Sequence, residues 1–331
     1  MEYVTLGRTG LRVSVAGLGC GGNSRIGMGT GKTPAESLAL LRQALELGVN
    51  FFDTAADYGT ETLIGEAIKS VPRDRVVIAT KASIHRSGEP IPVARVVESL
   101  DRSLRQLDTD YIDVFQLHVV PPLVYDYALS EIAPVLLREK EKGKFRHLGI
   151  TETSPNDHEQ HMLQRAVHDG VWETVMLGFN MMHQNARTKV FPHTMANGIG
   201  TILMFVVRNI FSQHGRLEAK MKELAEAGQV PRWLAETDNP LGFLLHASGA
   251  SSLTDAAYRF VRHEPGVHVV LFGTSNAGHL QANIESLLRP PLPEADRQKL
   301  TEWFGHLLGV GLELPNHSGA GAGTPRQSPN W

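Results

Sequence analysis

The chain has 331 residues, of which 42% are hydrophobic and 20% charged, and a formal net charge of -3. That near-neutral balance gives no electrostatic case for nucleic acid or an acidic membrane surface as a partner. A single cysteine, Cys20, excludes an internal disulfide framework and fits a reducing compartment. The opening MEYVTLGRTG lacks the basic-then-apolar layout of a secretory signal, and no apolar run approaches the ~18 residues of a membrane helix. The expectation is a cytoplasmic protein with no membrane partner; composition leaves a homo-oligomer open.

Read from the start, YVTLGRTGLRVS predicts a hairpin turning at Arg8–Gly10. Short β-rich runs then alternate with helical patterns. VAGLG (15–19) precedes a helix over 33–48, with Thr33 as N-cap, Pro34 at the first position, Glu36 completing a capping box and Gly48 as the stop. NFFDTA (50–55) leads to ETLIGEAIKS, and VVIATK (76–81) leads to PVARVVESLDRSLRQL, whose Val93, Val96, Val97, Leu100, Leu104 and Leu107 keep helical spacing. YIDVFQLH (111–118) is followed by a helix near 128–142, and FRHLGIT (145–151) by one near 155–169. TVMLGFN (174–180) and GIGTILMFV (198–206) come next, the latter with a long connection before SLTDAAYRFVRHE (252–264). VHVVLFG (267–273) precedes AGHLQANIESLL and PEADRQKLTEWFGHLL.

Several of these strands are apolar without alternation, as parallel strands covered on both faces are. Eight strand–helix pairs in one chain predict an α/β fold of the closed (β/α)₈ barrel type, also called a TIM barrel, with reactive groups at the C-terminal strand ends. An open doubly wound sheet is the alternative. The predicted barrel spans residues 1–314 as a single domain, and residues 315–331, rich in Gly, Pro and Ser, form a C-terminal extension outside the core.

Three motifs are decoys. Gly17-x-Gly19-x-x-Gly22 follows a strand, but no helix opens on it and Asp53 lies too far downstream for a dinucleotide fingerprint. GKT (31–33) lacks the first glycine of a P-loop, because Ile26 stands there. HEQH (158–161) spaces its histidines three apart, not four, so it reads as a solvated helix face and no metal site is expected. Cys20 sits in a glycine loop with nothing to activate the thiol.

The chemistry gathers at the predicted strand ends. Asp53 closes the second strand with Tyr58 just beyond it, Lys81 closes the third, and His118 closes the fourth. In a barrel these strands are neighbours, so the four side chains converge. Each alone has a plain reading: a turn cap, a rim cation, a satisfied core histidine. Together they form an acid–base set. A tyrosine with a pKa of about 10 is a poor proton donor near neutrality, a lysine ammonium favours its phenolate, an aspartate holds the lysine charged, and a histidine directs a carbonyl oxygen. No residue supplies a hydride.

Here the chain resembles a known family. FFDTAADYG, ATK and QLH, with GKFRHLGIT and GTSNAGHLQAN further on, are similar to the aldo-keto reductase signatures, over nearly the whole chain. The resemblance implies a barrel that binds NADP(H) without a Rossmann fold. It implies that Tyr58 is the general acid, that Asp53 and Lys81 tune it, and that His118 orients the carbonyl of an aldehyde or ketone, or of the alcohol in reverse. It also implies cofactor contacts. Thr151 and Glu152 fall where the family has a Ser-Asn pair holding the carboxamide, and ionised Glu152 lacks a donor. Met176 stands for the family's glutamine, while Asn180 keeps the nearby asparagine. Met204 or, preferentially, Phe205 covers the nicotinamide, and Gly21 lies along the cofactor. Gly273, Thr274 and Ser275 before a helix N-terminus suit phosphate, and Asn283 matches an adenine contact. Gly273 and His279 stand where a lysine and an arginine often clamp the 2′-phosphate, so NADP(H) ranks over NAD(H) on family habit, with Arg208 and Arg289 as substitute cations. Substrate-facing candidates from the loops are Asn23, Val119, Tyr125, Tyr127 and Phe211 beside Tyr58 and His118. Some members of the family are ion-channel auxiliary subunits, which makes a cofactor-binding regulatory or redox-sensing subunit the rival reading. A barrel isomerase or lyase using Lys81 as a Schiff base is a third.

Overall fold

A computed structural model describes residues 1–213 and 215–312; the expected extension at 315–331 lies outside the described residues. Eight parallel strands close into a barrel, and sequence neighbours are spatial neighbours throughout. In chain order the strands are Ala16–Gly19, Phe51–Asp53, Val77–Ser83, Ile112–Val120, Phe145–Glu152, Thr174–Gly178, Gly200–Met204 and Val269–Phe272, the eighth pairing with the first. They are numbered one to eight below. The closed barrel excludes the open doubly wound sheet.

The N-terminal hairpin forms as expected, with Tyr3–Thr5 paired to Arg12–Ser14 and Gly10 left-handed at the turn. It seals one end of the barrel. Leu6 and Val13 of the hairpin join Phe51, Val77, Ala79, Val114, Met176, Ile202 and Val269 in one buried interior cluster. These are the inward residues of a period-two pattern. Asp53, Lys81 and His118 continue the same inward parity toward the strands' C-terminal ends, away from the plug. A second, larger apolar cluster packs the outer strand faces against the helices, with Phe52, Ile78, Phe115, Leu148 and Leu177 among its members.

The first helix is Pro34–Glu46, with the Thr33–Glu36 capping box formed in both directions. Two helices depart from expectation. The one near 128–142 opens with a wide π turn over Ala128–Ile132 before regular helix at Ala133–Glu141; Pro134, with no N–H to give, cannot close an ordinary turn there. The one near 155–169 is only His161–Ala166. Left-handed Gln160 (φ 60°) interrupts the chain, and the Asp157 carboxylate takes the N–H groups of His161 and Met162, each at 2.9 Å. Gly17 is a barrel-packing residue rather than part of a phosphate loop: a Cβ on it would lie 2.7 Å from Val269 Cγ1. No helix among the described residues is long and apolar enough to cross a membrane.

Candidate active site

The turn after strand two is stitched onto strand three by backbone bonds from Thr54 N to Ala79 O (2.8 Å) and from Ala56 N to Lys81 O (3.0 Å). Thr54 and Thr60 share a 2.8 Å hydroxyl bond across the turn, and left-handed Gly59 (φ 72°) turns the chain into the helix Glu61–Ile68. The turn thereby returns Tyr58 over Lys81, whose Nζ lies 5.1 Å from the phenol ring centroid. Lys81 is 1% exposed. Its ammonium donates to Asp53 Oδ2 and to Thr54 O, both at 2.8 Å. The Tyr58 hydroxyl stands 3.2 Å from His118 Nε2, with the two rings edge-on at 78°. The four residues expected to converge share one cluster.

Burial works against the Lys81 charge, but Asp53 and Tyr58 outweigh it and hold the ammonium above its ordinary range. Burial, then Lys81 and His85, push His118 well below 6.5, so its imidazole is neutral. The expectation for Tyr58 needs correction. Lys81 does pull its pKa down, but burial is the larger effect and the net shift is upward. In this site Tyr58 is therefore a neutral phenol, a proton donor. Burial likewise pushes the Cys20 thiol up, and its Sγ rests 3.6 Å from Leu18 O, in keeping with an inert thiol.

The aldo/keto reductase family matches residues 17–303, which span this barrel and the cluster at its strand ends. The chain belongs to that family. It is 29% identical over 306 residues to aldo-keto reductase YhdN of Bacillus subtilis, covering 85% of this chain and 87% of that protein. It is 28% identical to L-galactose dehydrogenase of Arabidopsis thaliana, covering 91% and 93% respectively. The holo form of aldo-keto reductase AKR11C1 from Bacillus halodurans superposes with a TM-score of 0.69 at 23% identity, over 91% of this chain and 96% of that one. Aldo-keto reductases are oxidoreductases that use nicotinamide cofactors, so this chain is an NAD(P)H-dependent oxidoreductase of that family.

Residues around the tetrad bear on how such a cofactor fits. Thr151 Oγ1 accepts the N–H of Val119 at 2.7 Å and keeps its own proton to donate. Beside it, Glu152 is 1% exposed. Its Oε1 accepts from Gly178 N and Ser154 Oγ, both at 2.6 Å, while Oε2 is enclosed without a hydrogen bond. Burial raises this carboxyl to about 7 against those two bonds and the nearby Gln160 amide. A neutral Glu152 has an O–H to give. Met176 lies in the barrel interior. Asn180 is committed to the fold: its Nδ2 donates to Val310 O (3.1 Å) and Phe205 O (3.4 Å). Phe205, just after strand seven, is left-handed (φ 59°), and the Arg208 guanidinium carbon lies 4.8 Å from its ring centroid.

After strand eight, Gly273 is exposed and Thr274 buried, its hydroxyl accepting from Asn276 N at 3.0 Å. The helix Ala277–Leu288 is capped by Asn276 Oδ1, which takes the N–H of His279 at 3.0 Å. Ser275 precedes the cap, and exposed His279 and half-buried Asn283 stand within the helix's first two turns. Arg289 does not serve there. It follows the helix's far end and donates to Ser251 Oγ (2.9 Å) and Asp255 Oδ2 (3.1 Å).

Among the substrate-facing candidates, Tyr125 is misplaced by the sequence reading. It is fully buried in the helical layer, with its hydroxyl bonded to Asp169 and accepting from Trp172 Nε1 at 2.9 Å. The Tyr127 hydroxyl donates to Ile91 O at 2.6 Å. Asn23 is exposed, and Phe211 is 5% exposed in the packed core. Gly21 lies directly against the Tyr58 ring. His161 of the HEQH stretch pairs with Asp157 and Glu159, each at 3.2 Å. Sequence reasoning overlooked His85, which reaches Val119 O at 2.8 Å from a short hairpin. The only trace of it in the sequence is the turn-forming Ser87–Gly88 beside it.

Proposed function

We propose that this protein reduces an aldehyde or ketone, reversibly and preferentially with NADP(H), with Tyr58 as the general acid. The observation that carries the reading is the 3.2 Å contact between the Tyr58 hydroxyl and His118 Nε2, above a Lys81 ammonium bonded to Asp53.

A bound nicotinamide would supply the hydride. Thr151 and neutral Glu152 would hold its carboxamide, Phe205 would cover the ring, and the backbone of Gly273 and Ser275 with the N-terminus of Ala277–Leu288 would take the phosphates. His118, neutral at physiological pH, donates an N–H to the carbonyl oxygen and fixes its direction. Tyr58 gives its phenol proton to that oxygen as it gains negative charge. Lys81 then faces the phenolate left behind, where an ammonium is most stabilising in a buried setting. In the oxidative direction the same phenolate is the base. The preference for NADP(H) rests on family habit alone, since Gly273 and His279 give the 2′-phosphate no guanidinium fork; NAD(H) is the alternative, separable by comparing the two Kd values.

Replacing Tyr58 with Phe should abolish turnover across a carbonyl panel while cofactor binding, followed by fluorescence, stays nearly intact. Undiminished reduction by Y58F would remove the mechanism. Tight cofactor binding by the wild type with no turnover on any carbonyl would favour the regulatory reading, which the altered carboxamide positions Glu152 and Met176 support.

A further inference from the structure

Val119, immediately after His118, has φ of 55°. That left-handed region is costly for any residue with a Cβ and more so for a β-branched one. The ladder between strands four and five breaks there, with the register shifting between Leu117 and Val120. His118 itself still pairs with Ser83 on the other side. Both backbone groups of Val119 are taken by side chains. Its N–H goes to Thr151 Oγ1 at 2.7 Å and its carbonyl to His85 Nε2 at 2.8 Å.

The partner on the carbonyl side is itself fixed. His85 Nδ1 accepts the N–H of Gly88 at 3.2 Å, so the ring carries its hydrogen on Nε2, the atom facing Val119 O. His85 sits in a two-stranded turn, His85–Arg86 against Glu89–Pro90. The turn is closed below by Ile91 N to Ile84 O at 2.9 Å and tied to the segment after strand four by the Tyr127 hydroxyl on Ile91 O at 2.6 Å. A strained residue persists only where its surroundings over-determine it, and here one clamp comes from strand five itself and the other from the extension of strand three.

We infer that His85 is a positioning residue for the reaction: with Thr151 it holds Val119 left-handed, and the resulting bulge aims the His118 imidazole at Tyr58. His85 is not a catalytic residue, since both its ring nitrogens are spent on backbone. The inference rests on the reading of His118 given above. Thr151, if it also donates to the carboxamide, links the cofactor site to the substrate histidine through one hydroxyl.

The test compares H85A, H85Q and the H85A/V119G double variant. Glutamine places an N–H donor near the imidazole Nε2 position, and glycine adopts the left-handed conformation without strain. H85A should lower kcat for carbonyl reduction roughly ten-fold, within the range that a small misplacement costs, with cofactor Kd unchanged. H85Q should recover most of the loss, and H85A should cost less in the V119G background than in wild type. The His118 ring signals in NMR, assigned by their loss in H118N, should shift in H85A and return in H85Q. Unmoved His118 signals in H85A, or H85Q as displaced as H85A, would overturn the clamp. Because the ring signals need no turnover, a wild type inactive on every carbonyl would remove the reductase reading and leave the clamp to be decided by NMR. Should H85A not fold, the V119G background carries the same comparison.

Discussion

Gly21 and Tyr58 meet with no room for a side chain between them: a Cβ on Gly21 would lie 2.3 Å from Tyr58 Cε2 and 2.7 Å from Cδ2 and Cζ. The backbone of Gly21 is not in the left-handed region, so a substitution there tests space alone. G21A must push the phenol off His118 and away from Lys81. Turnover should fall about 100-fold, the scale of a misplaced reacting group. Wild-type turnover in G21A would show that the ring has slack and that its seat against Gly21 does not set its aim.

The Asp53–Lys81 pair stands in the same buried layer, with Lys81 1% and Asp53 4% exposed. Removing one member leaves the other as an uncompensated buried charge, which costs about 3–5 kcal/mol, whereas apolar replacement of a whole pair is often near neutral. K81M should therefore be destabilised by that amount, measured by chemical denaturation. D53L/K81M should recover much of the loss while remaining inactive. Equal stability of K81M and wild type would mean that the pair is already hydrated.

The barrel was legible because its signals are local and repeated. Apolar runs such as VVIATK and TVMLGFN alternate with capped, periodic helices, and parallel topology follows from that alternation. The tetrad was legible for the same reason: Asp53, Lys81 and His118 lie at or within two residues of the ends of consecutive strands, and closure makes consecutive strands neighbours. What stayed hidden depends on contacts distant in sequence. Nothing local says that Tyr125 turns into the helical layer toward Trp172, or that Arg289 spends itself on Asp255. His85 acts through the backbone of Val119, and a residue that bonds only to main chain leaves no side-chain partner to find in a motif. The net direction of the Tyr58 shift was hidden too, because the sequence supplies the lysine but not the degree of burial.

That direction is measurable without cofactor. Burial raises the Tyr58 phenol above its ordinary 10.0 despite Lys81. A wild-type minus Y58F difference titration of phenolate absorbance should show no Tyr58 ionisation below pH 10, and the missing phenolate should emerge above it. Ionisation near neutrality would mean that the ammonium wins and that Tyr58 rests as a base rather than an acid.

Glu152 gives the sharpest pH dependence. Its carboxyl titrates near 4.5 in the unfolded chain and at about 7 when folded, because burial disfavours the carboxylate. Between those values the native state holds a proton that the unfolded chain has released, so unfolding free energy falls as pH rises. The loss begins above 4.5 and is complete above 7, the reverse of a salt-bridged carboxylate. Over the upper two units it amounts to roughly 2–3 kcal/mol. E152Q is neutral at every pH and its carbonyl oxygen can still accept from Gly178 N and Ser154. Denaturation midpoints at pH 5 and pH 8 should therefore differ more for wild type than for E152Q. On the carboxamide contact proposed above, the same proton is the one Glu152 would donate, so cofactor affinity should weaken through pH 7 in wild type and stay level in E152Q. Parallel pH profiles for the two proteins, in stability and in affinity, would place the titrating proton elsewhere.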